Sequence, residues 1–359
     1  MDPAIRHLDT IQARLREIGA DGLWVHPSVD FRYLTGLELL SIERPAGLLI
    51  PARGDVRAAA PAMFAEPLAG IDAVLWTDAE GPERALESVL GGVRRLLVAP
   101  SLPTGQAFLL RRVLPGLELE LDPGIIAALR RRKTPDEIAQ LAEAGRRADE
   151  AVAWIGSLAL DGWSERRLAG ELQAHFLQGG AQPYDPIVAT GPNAALPHHE
   201  TGDAPIARDR PLLTDFGCIV GGYYSDITRV HFPGQVDGEV EEAWALVLDA
   251  YHAAERAAAP GVPARDIDRA ARDVFAAAGV ADRFVHRIGH GLGLEVHEEP
   301  YLTGANDAPL AIGDVFSIEP GLYVPGRYGL RYENTVALTG DGLRTLNAAP
   351  ERPALATSS

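Results

Sequence analysis

Lysine is nearly missing from this sequence: of its 33 basic residues, only Lys133 is one. Arginine takes its place, and with plentiful alanine, glycine and proline this reads as the codon bias of a GC-rich genome rather than a functional signal. Basic charge of any kind is scarce beside 50 acidic residues, which leaves a net charge of −17. A chain so acidic lacks the clustered positive charge that phosphate backbones and anionic membrane surfaces require, so neither nucleic acid nor membrane is expected as a partner. Cysteine is reduced to Cys218, which excludes an internal disulfide. The segment MDPAIRHLDT has no apolar stretch of the signal-peptide kind, and no apolar run approaches the about 18 residues needed to span a bilayer. The expectation is a cytoplasmic protein.

What is present is enough material for a core. Hydrophobic residues make up 47% and charged residues 23%, a globular profile that excludes disorder. A length of 359 residues suits two domains. Over the first 120 or so residues helix and strand signals alternate. Ile5 to Ile18 has helical spacing, Gly22 to His26 and Ala46 to Pro51 read as buried strands, Pro82 to Leu90 as helix and Arg94 to Ala99 as strand. Leu121-Asp122-Pro123-Gly124 is turn chemistry. Thr134-Pro135-Asp136-Glu137 is a helix start, with Thr134 as cap and Glu137 closing a capping box. Helices are predicted near Glu137 to Ile155 and Glu165 to Leu177, after which the pattern changes to hairpins.

Two of those hairpins carry paired acids. In the run from Leu212 to Arg229, a turn centred between Val220 and Gly221 sets Asp215 opposite Asp226. In the run from Phe316 to Val336, a turn at Pro325-Gly326 sets Glu319 opposite Glu333. Like charges facing each other among apolar neighbours are unfavourable, and a divalent metal ion between them is the economical remedy. Nitrogen donors are at hand in the run from Val285 to His297, where His286, His290 and His297 lie among glycines that let backbone approach closely. His198 follows Leu196-Pro197 in a punctuated loop, with His199 read as its solvated neighbour. His7 and His252 are read as structural.

Asp215, Asp226, His290, Glu319 and Glu333, in the words DFG, SDITR, GHGLGLEVH, IEPGLY and GLRYENTV, resemble the pita-bread metallopeptidases. The likeness is strongest to the proline-specific branch, prolidase and aminopeptidase P. It implies an α+β pita-bread catalytic domain, a curved antiparallel sheet covered by helices, over residues 126–359. A smaller mixed α/β, creatinase-like domain would occupy residues 1–125. The resemblance further implies two divalent ions on the five ligands, with Asp226 and Glu333 spanning both. The oxygen-rich donor set suits Mn2+, with Co2+ or Zn2+ as substitutes. One departure is Asn334, where relatives usually carry Asp; it lies outside the ligand set.

The same resemblance implies roles. Glu319 would shuttle the proton, His198 would donate to the developing oxyanion, and His297 would hold a substrate carbonyl. His286 would shape the proline pocket, and Arg331 would orient the neighbouring ligand. Substrates would be short peptides with proline second. Arg44, in Glu43-Arg44-Pro45, is the candidate cation for a dipeptide's free carboxylate. The leading expectation is a prolidase working as a homodimer. The rivals are aminopeptidase P on longer peptides, a metal-free creatinase-like hydrolase, and a peptide-binding module without activity.

Overall fold

The computed structural model describes residues 5–40, 43–235, 237–353 and 355. The chain forms two compact units, one ending at Arg130 and the other beginning at Arg131. The turn at Leu121–Gly124 leads into a short helix, Ile125–Arg131, whose start is held by Asp122 accepting from the Ile125 N–H at 2.9 Å. The division therefore falls five residues beyond the sequence-based boundary at 125.

The amino-terminal unit is built on a six-stranded mixed sheet. Gly22–Val25 lies at its centre, antiparallel to Gly47–Pro51 and parallel to Arg95–Val98. All four residues of Gly22–Val25 are buried, which explains why that apolar run is legible as a strand. Helix Leu8–Ile18 turns Ile11 and Leu15 inward and begins later than its spacing suggests, because His7 sits in the left-handed region at φ 58°. Three strands lie outside the sequence reading: Arg57–Pro61, Asp72–Trp76 and Glu118–Leu121. Alanine and glutamate carry little β-propensity, so these runs do not announce themselves.

The carboxy-terminal unit opens with the capping box. Thr134 accepts from the Glu137 N–H at 3.3 Å, and Glu137 accepts from the Thr134 N–H at 2.8 Å, starting helix Pro135–Gly156. Ser164 caps helix Glu165–Gln178. These helices pack Val152, Ile155, Leu172 and Phe176 against Phe216, Cys218 and Ile227 of the sheets. Two further helices, Gly238–Ala257 and Ala264–Ala277, follow where only hairpins are predicted. Their inward faces include many alanines, which blur the apolar period, although Trp244, Tyr251 and Phe275 are buried. Trp244, Tyr251 and Phe275 share one hydrophobic core with Phe316, Ile318 and Leu330. Burying each such side chain stabilises the fold by about 1.5–3 kcal/mol.

Between these helices every strand pairing is antiparallel. A five-stranded sheet runs Glu298–Leu302, Gly289–Gly291, Val315–Ile318, Asn334–Thr339, Gly342–Thr345. A three-stranded sheet holds Ile227–His231, Leu212–Phe216 and Ile187–Thr190. The first acidic hairpin is shifted from its predicted register. Gly221 and Gly222 occupy the turn at φ 57° and 88°, pairing Val220 with Tyr223 and Asp215 with Thr228. Asp226 is thus a diagonal neighbour of Asp215 rather than its direct partner, and still on the same face. In the second hairpin Gly321 pairs with Arg331 and Ile318 with Asn334, one register in which Glu319 faces Glu333.

Candidate metal centre and active site

The antiparallel sheets converge on a cavity of about 410 Å³, whose described lining residues belong to the carboxy-terminal unit. Asp215, Asp226, His290, Glu319 and Glu333 all lie on its wall. His290 comes from a strand that is glycine on both sides for a steric reason. A Cβ on Gly289 would stand 1.9 Å from the Ser317 carbonyl oxygen, and one on Gly291 would stand 2.3 Å from that of Glu299. Strand Gly289–Gly291 is thereby drawn tightly between its neighbours. Ser317 fixes both partners: its Oγ accepts from the His290 N–H at 3.1 Å and donates to Glu319 at 3.3 Å.

Donor atoms of Asp226, His290 and Glu333 lie within 4.8 Å of one another, and all three residues are buried. His290 Nε2 is 3.4 Å from Glu319 and 3.7 Å from Asp226. Burial pushes the Asp226 and Glu333 carboxyls well above the usual carboxylate range, and the charges of the neighbouring acids push them further. Burial also raises Glu319, to about 7, against the opposing pull of Arg331. His290 is driven down by burial and by His297. One carboxylate oxygen is satisfied, since Thr228 donates to Glu333 Oε2 at 2.7 Å. The other, Oε1, is buried without a hydrogen-bond partner. An unpaired buried oxygen among repelling acids is the arrangement a cation stabilises, so these residues fit a divalent metal ion.

His198 and His297 are exposed on the cavity wall, with the His297 ring 4.1 Å from that of His290. His286 is held at both nitrogens: Nδ1 donates to the Arg287 carbonyl at 2.7 Å and Nε2 accepts from Tyr323 at 2.8 Å. Burial and the nearby Arg331 bring its pKa down to about 3, so the ring is neutral. Arg331 is committed to protein, donating to Thr228, Tyr323, Pro197 and Asp215. Arg44 belongs to the amino-terminal unit, where Asp78 receives its guanidinium in a two-pronged pair at 2.8 and 2.9 Å. His199 is no solvated neighbour; it meets the fully buried Glu165 at 2.9 Å.

Several residues at the site escape sequence reasoning. Tyr184 donates to Asp226 at 3.0 Å, and nothing in its loop marks it. Thr228 follows Asp226 by two positions, the period of a strand face, and that signal was available. Arg229 is fully buried and donates to the carbonyls of Glu333, Ala349 and Pro350 and to Asn334 Oδ1. Asn334 turns its amide N–H groups to the hydroxyls of Tyr251 and Tyr332 at 3.0 Å each. Arg287 lines the cavity with its guanidinium 4.8 Å from the centre of the Tyr301 ring.

Buried acids and an imidazole gathered on antiparallel sheets define a hydrolytic metal enzyme. Residues 139–340 match the model of metallopeptidase family M24, and residues 7–132 match the creatinase/prolidase N-terminal domain. The chain belongs to metallopeptidase family M24 and has its pita-bread fold. A probable dipeptidase, PepE, of Mycobacterium tuberculosis is 36% identical over 355 residues, covering 96% of this chain and 94% of the relative. The crystal structure of prolidase from Thermococcus sibiricus superposes with a TM-score of 0.92 at 33% identity, over 99% of each chain. Dipeptidase PepE from Mycobacterium ulcerans does so with a TM-score of 0.92 at 34% identity, again over 99% of each chain.

Proposed function

We propose that this metallopeptidase cleaves Xaa-Pro dipeptides, using two divalent ions, with Mn2+ the best match to the donor set. The observation that carries the reading is the acid cluster with its orphaned Glu333 oxygen, set in a cavity of about 410 Å³ that suits a small peptide. The likeness to a prolidase and to dipeptidases supports the choice of substrate.

Asp215, Asp226, His290, Glu319 and Glu333 would hold the ions. When bound, these supply acidification of a water and compensation of negative charge on the scissile carbonyl oxygen. The chain's own groups do the rest. Glu319, steadied by Ser317, takes a proton from the attacking water and returns it to the proline nitrogen as the C–N bond breaks. That return is required, because the nitrogen of a tertiary amide has no proton and leaves as an amine. His198 donates a hydrogen bond to the carbonyl oxygen as it gains charge. His297 holds the substrate backbone, and the neutral His286, braced from behind by Tyr323, forms a wall for the proline ring. Arg287 is the cavity cation for the dipeptide carboxylate, with Arg44 as the second candidate.

The test is a paired assay with added Mn2+, comparing Ala-Pro with Ala-Pro-Ala at matched concentration. Faster cleavage of the dipeptide is expected. Preference for the tripeptide would reassign the enzyme to aminopeptidase P chemistry. Failure to cut either while Mn2+ binds would overturn the proline reading. Calorimetric titration should give about two ions per chain, and a single equivalent would refute the two-ion proposal.

A further inference from the structure

Glu165 is the first residue of helix Glu165–Gln178 and is fully buried. Four N–H donors converge on its carboxylate. Oε1 accepts from the Thr190 backbone at 2.8 Å and the Asn193 amide at 2.9 Å; Oε2 accepts from His199 Nε2 at 2.9 Å and the Gly202 backbone at 3.2 Å. An ionised carboxylate offers about four lone-pair sites, so this one is filled. All four donors come from a single stretch, Thr190 to Gly202, which contains His198. Asn193 and His199 bracket that histidine on either side. Between them the loop is closed by Leu196 N–H to Asn193 O and His199 N–H to Leu196 O, each at 3.1 Å.

His198 makes none of these bonds. Among the described residues no hydrogen bond to its ring is found, so the path of the backbone carries it to its place on the cavity wall. That path is otherwise pinned near His198 by Arg331 donating to the Pro197 carbonyl at 3.4 Å, a long contact. Strand Tyr328–Arg331 also lies close against the Ala194 carbonyl through Gly329, and a buried carboxylate that gathers both flanks of the loop is a determinant of where the His198 ring stands. We propose that Glu165 is a positioning residue for His198, acting through His199 and Asn193. The inference rests on the reading of His198 as the donor to the substrate's carbonyl oxygen.

Glu165→Gln keeps the shape and removes the function. With the amide oxygen on Thr190 and Asn193, the new NH2 faces His199 and the Gly202 N–H. His199 can change tautomer to accept; the Gly202 N–H cannot. The loop loosens on the side next to His198, and a displacement of about 1 Å in a reacting group costs up to ~100-fold in rate. His199→Ala provides a second route to the same clasp, and it is well suited to substitution. The His199 side chain borders a second cavity, of about 440 Å³, together with Arg166, Gln173 and Thr201, so its removal leaves no buried void.

The experiment is a double-mutant cycle on the full chain with Mn2+ and Ala-Pro. His198→Ala is expected to lower kcat about 100-fold. Glu165→Gln and His199→Ala are each expected to lower kcat about 10-fold, with KM and Mn2+ stoichiometry unchanged. In the His198→Ala background either change should cost less than about twofold more, because there is no longer a side chain to position. An equal loss in both backgrounds would mean a general structural role and overturn the proposal. So would an unchanged kcat in both Glu165→Gln and His199→Ala. If His198→Ala alone leaves kcat intact, it is the catalytic assignment of His198 that fails, and the clasp falls with it.

Discussion

Arg331 commits its donors to Thr228, Tyr323, Pro197 and Asp215, whereas the described side-chain contact of Arg287 is the ring of Tyr301. An arginine stacked on a ring keeps its N–H groups for a carboxylate, while one already saturated can only orient what it holds. Arg287→Ala should raise KM for Ala-Pro about 10-fold with little change in kcat and little effect on Ala-Pro-Ala. Arg44→Ala, already paired to Asp78, should change the dipeptide KM less; the reverse ranking would make Arg44 the anchor. His231 yields a prediction of another kind. It is fully buried against Thr214 at 3.1 Å, and burial lowers its pKa from 6.5 to about 3. The unfolded chain therefore binds this proton first, so stability is intact above pH about 6.5 and is lost as pH falls toward 3. His231→Leu should flatten that acid limb in denaturant titrations between pH 4 and 7. The five acid and imidazole positions were legible because each sits in a distinctive word of sequence; Tyr184 was not, since a lone tyrosine in a loop carries no period.

Hairpin register decides which of those residues meet. The Pro325-Gly326 turn predicts the pairing of Glu319 with Glu333 because a single register runs through both flanking ladders. The Val220–Gly222 turn misleads by one position: two successive glycines at positive φ claim the turn, and the strands follow them. The two alanine-rich helices were illegible for the opposite reason, since alanine favours helix without marking a face. The Gly-His-Gly strand leaves no room for a side chain at either glycine. Gly289→Ala would drive a methyl into the Ser317 carbonyl, and the strand carrying His290 must shift by more than an ångström. The expected result is a folded protein with Mn2+ affinity reduced at least about 10-fold by calorimetry, and wild-type affinity would refute the steric argument.

The candidate ligands span residues from Asp215 to Glu333 and come from several antiparallel segments, so a bound ion ties together strands far apart in sequence. Ligand that binds only the folded state adds about 2.7 kcal/mol at 100 times its Kd. Chelation should therefore lower Tm by several degrees as well as abolish activity, and Mn2+ should restore both; an unchanged Tm would show that the acids are accommodated without metal. Length and the Leu121–Gly124 turn suggest two domains with a boundary near 125; in the structure the Asp122 turn opens a helix, and the compact units divide between Arg130 and Arg131.

Lys133, the sole lysine, is buried against Glu298 at 2.6 Å, and Glu298 directly follows His297. The folded protein thus withholds its one ε-amine from solvent. An acylating reagent reaches that amine once the Lys133–Glu298 pair opens, so the rate of lysine acylation, read by mass spectrometry, times local opening around that pair without any introduced label.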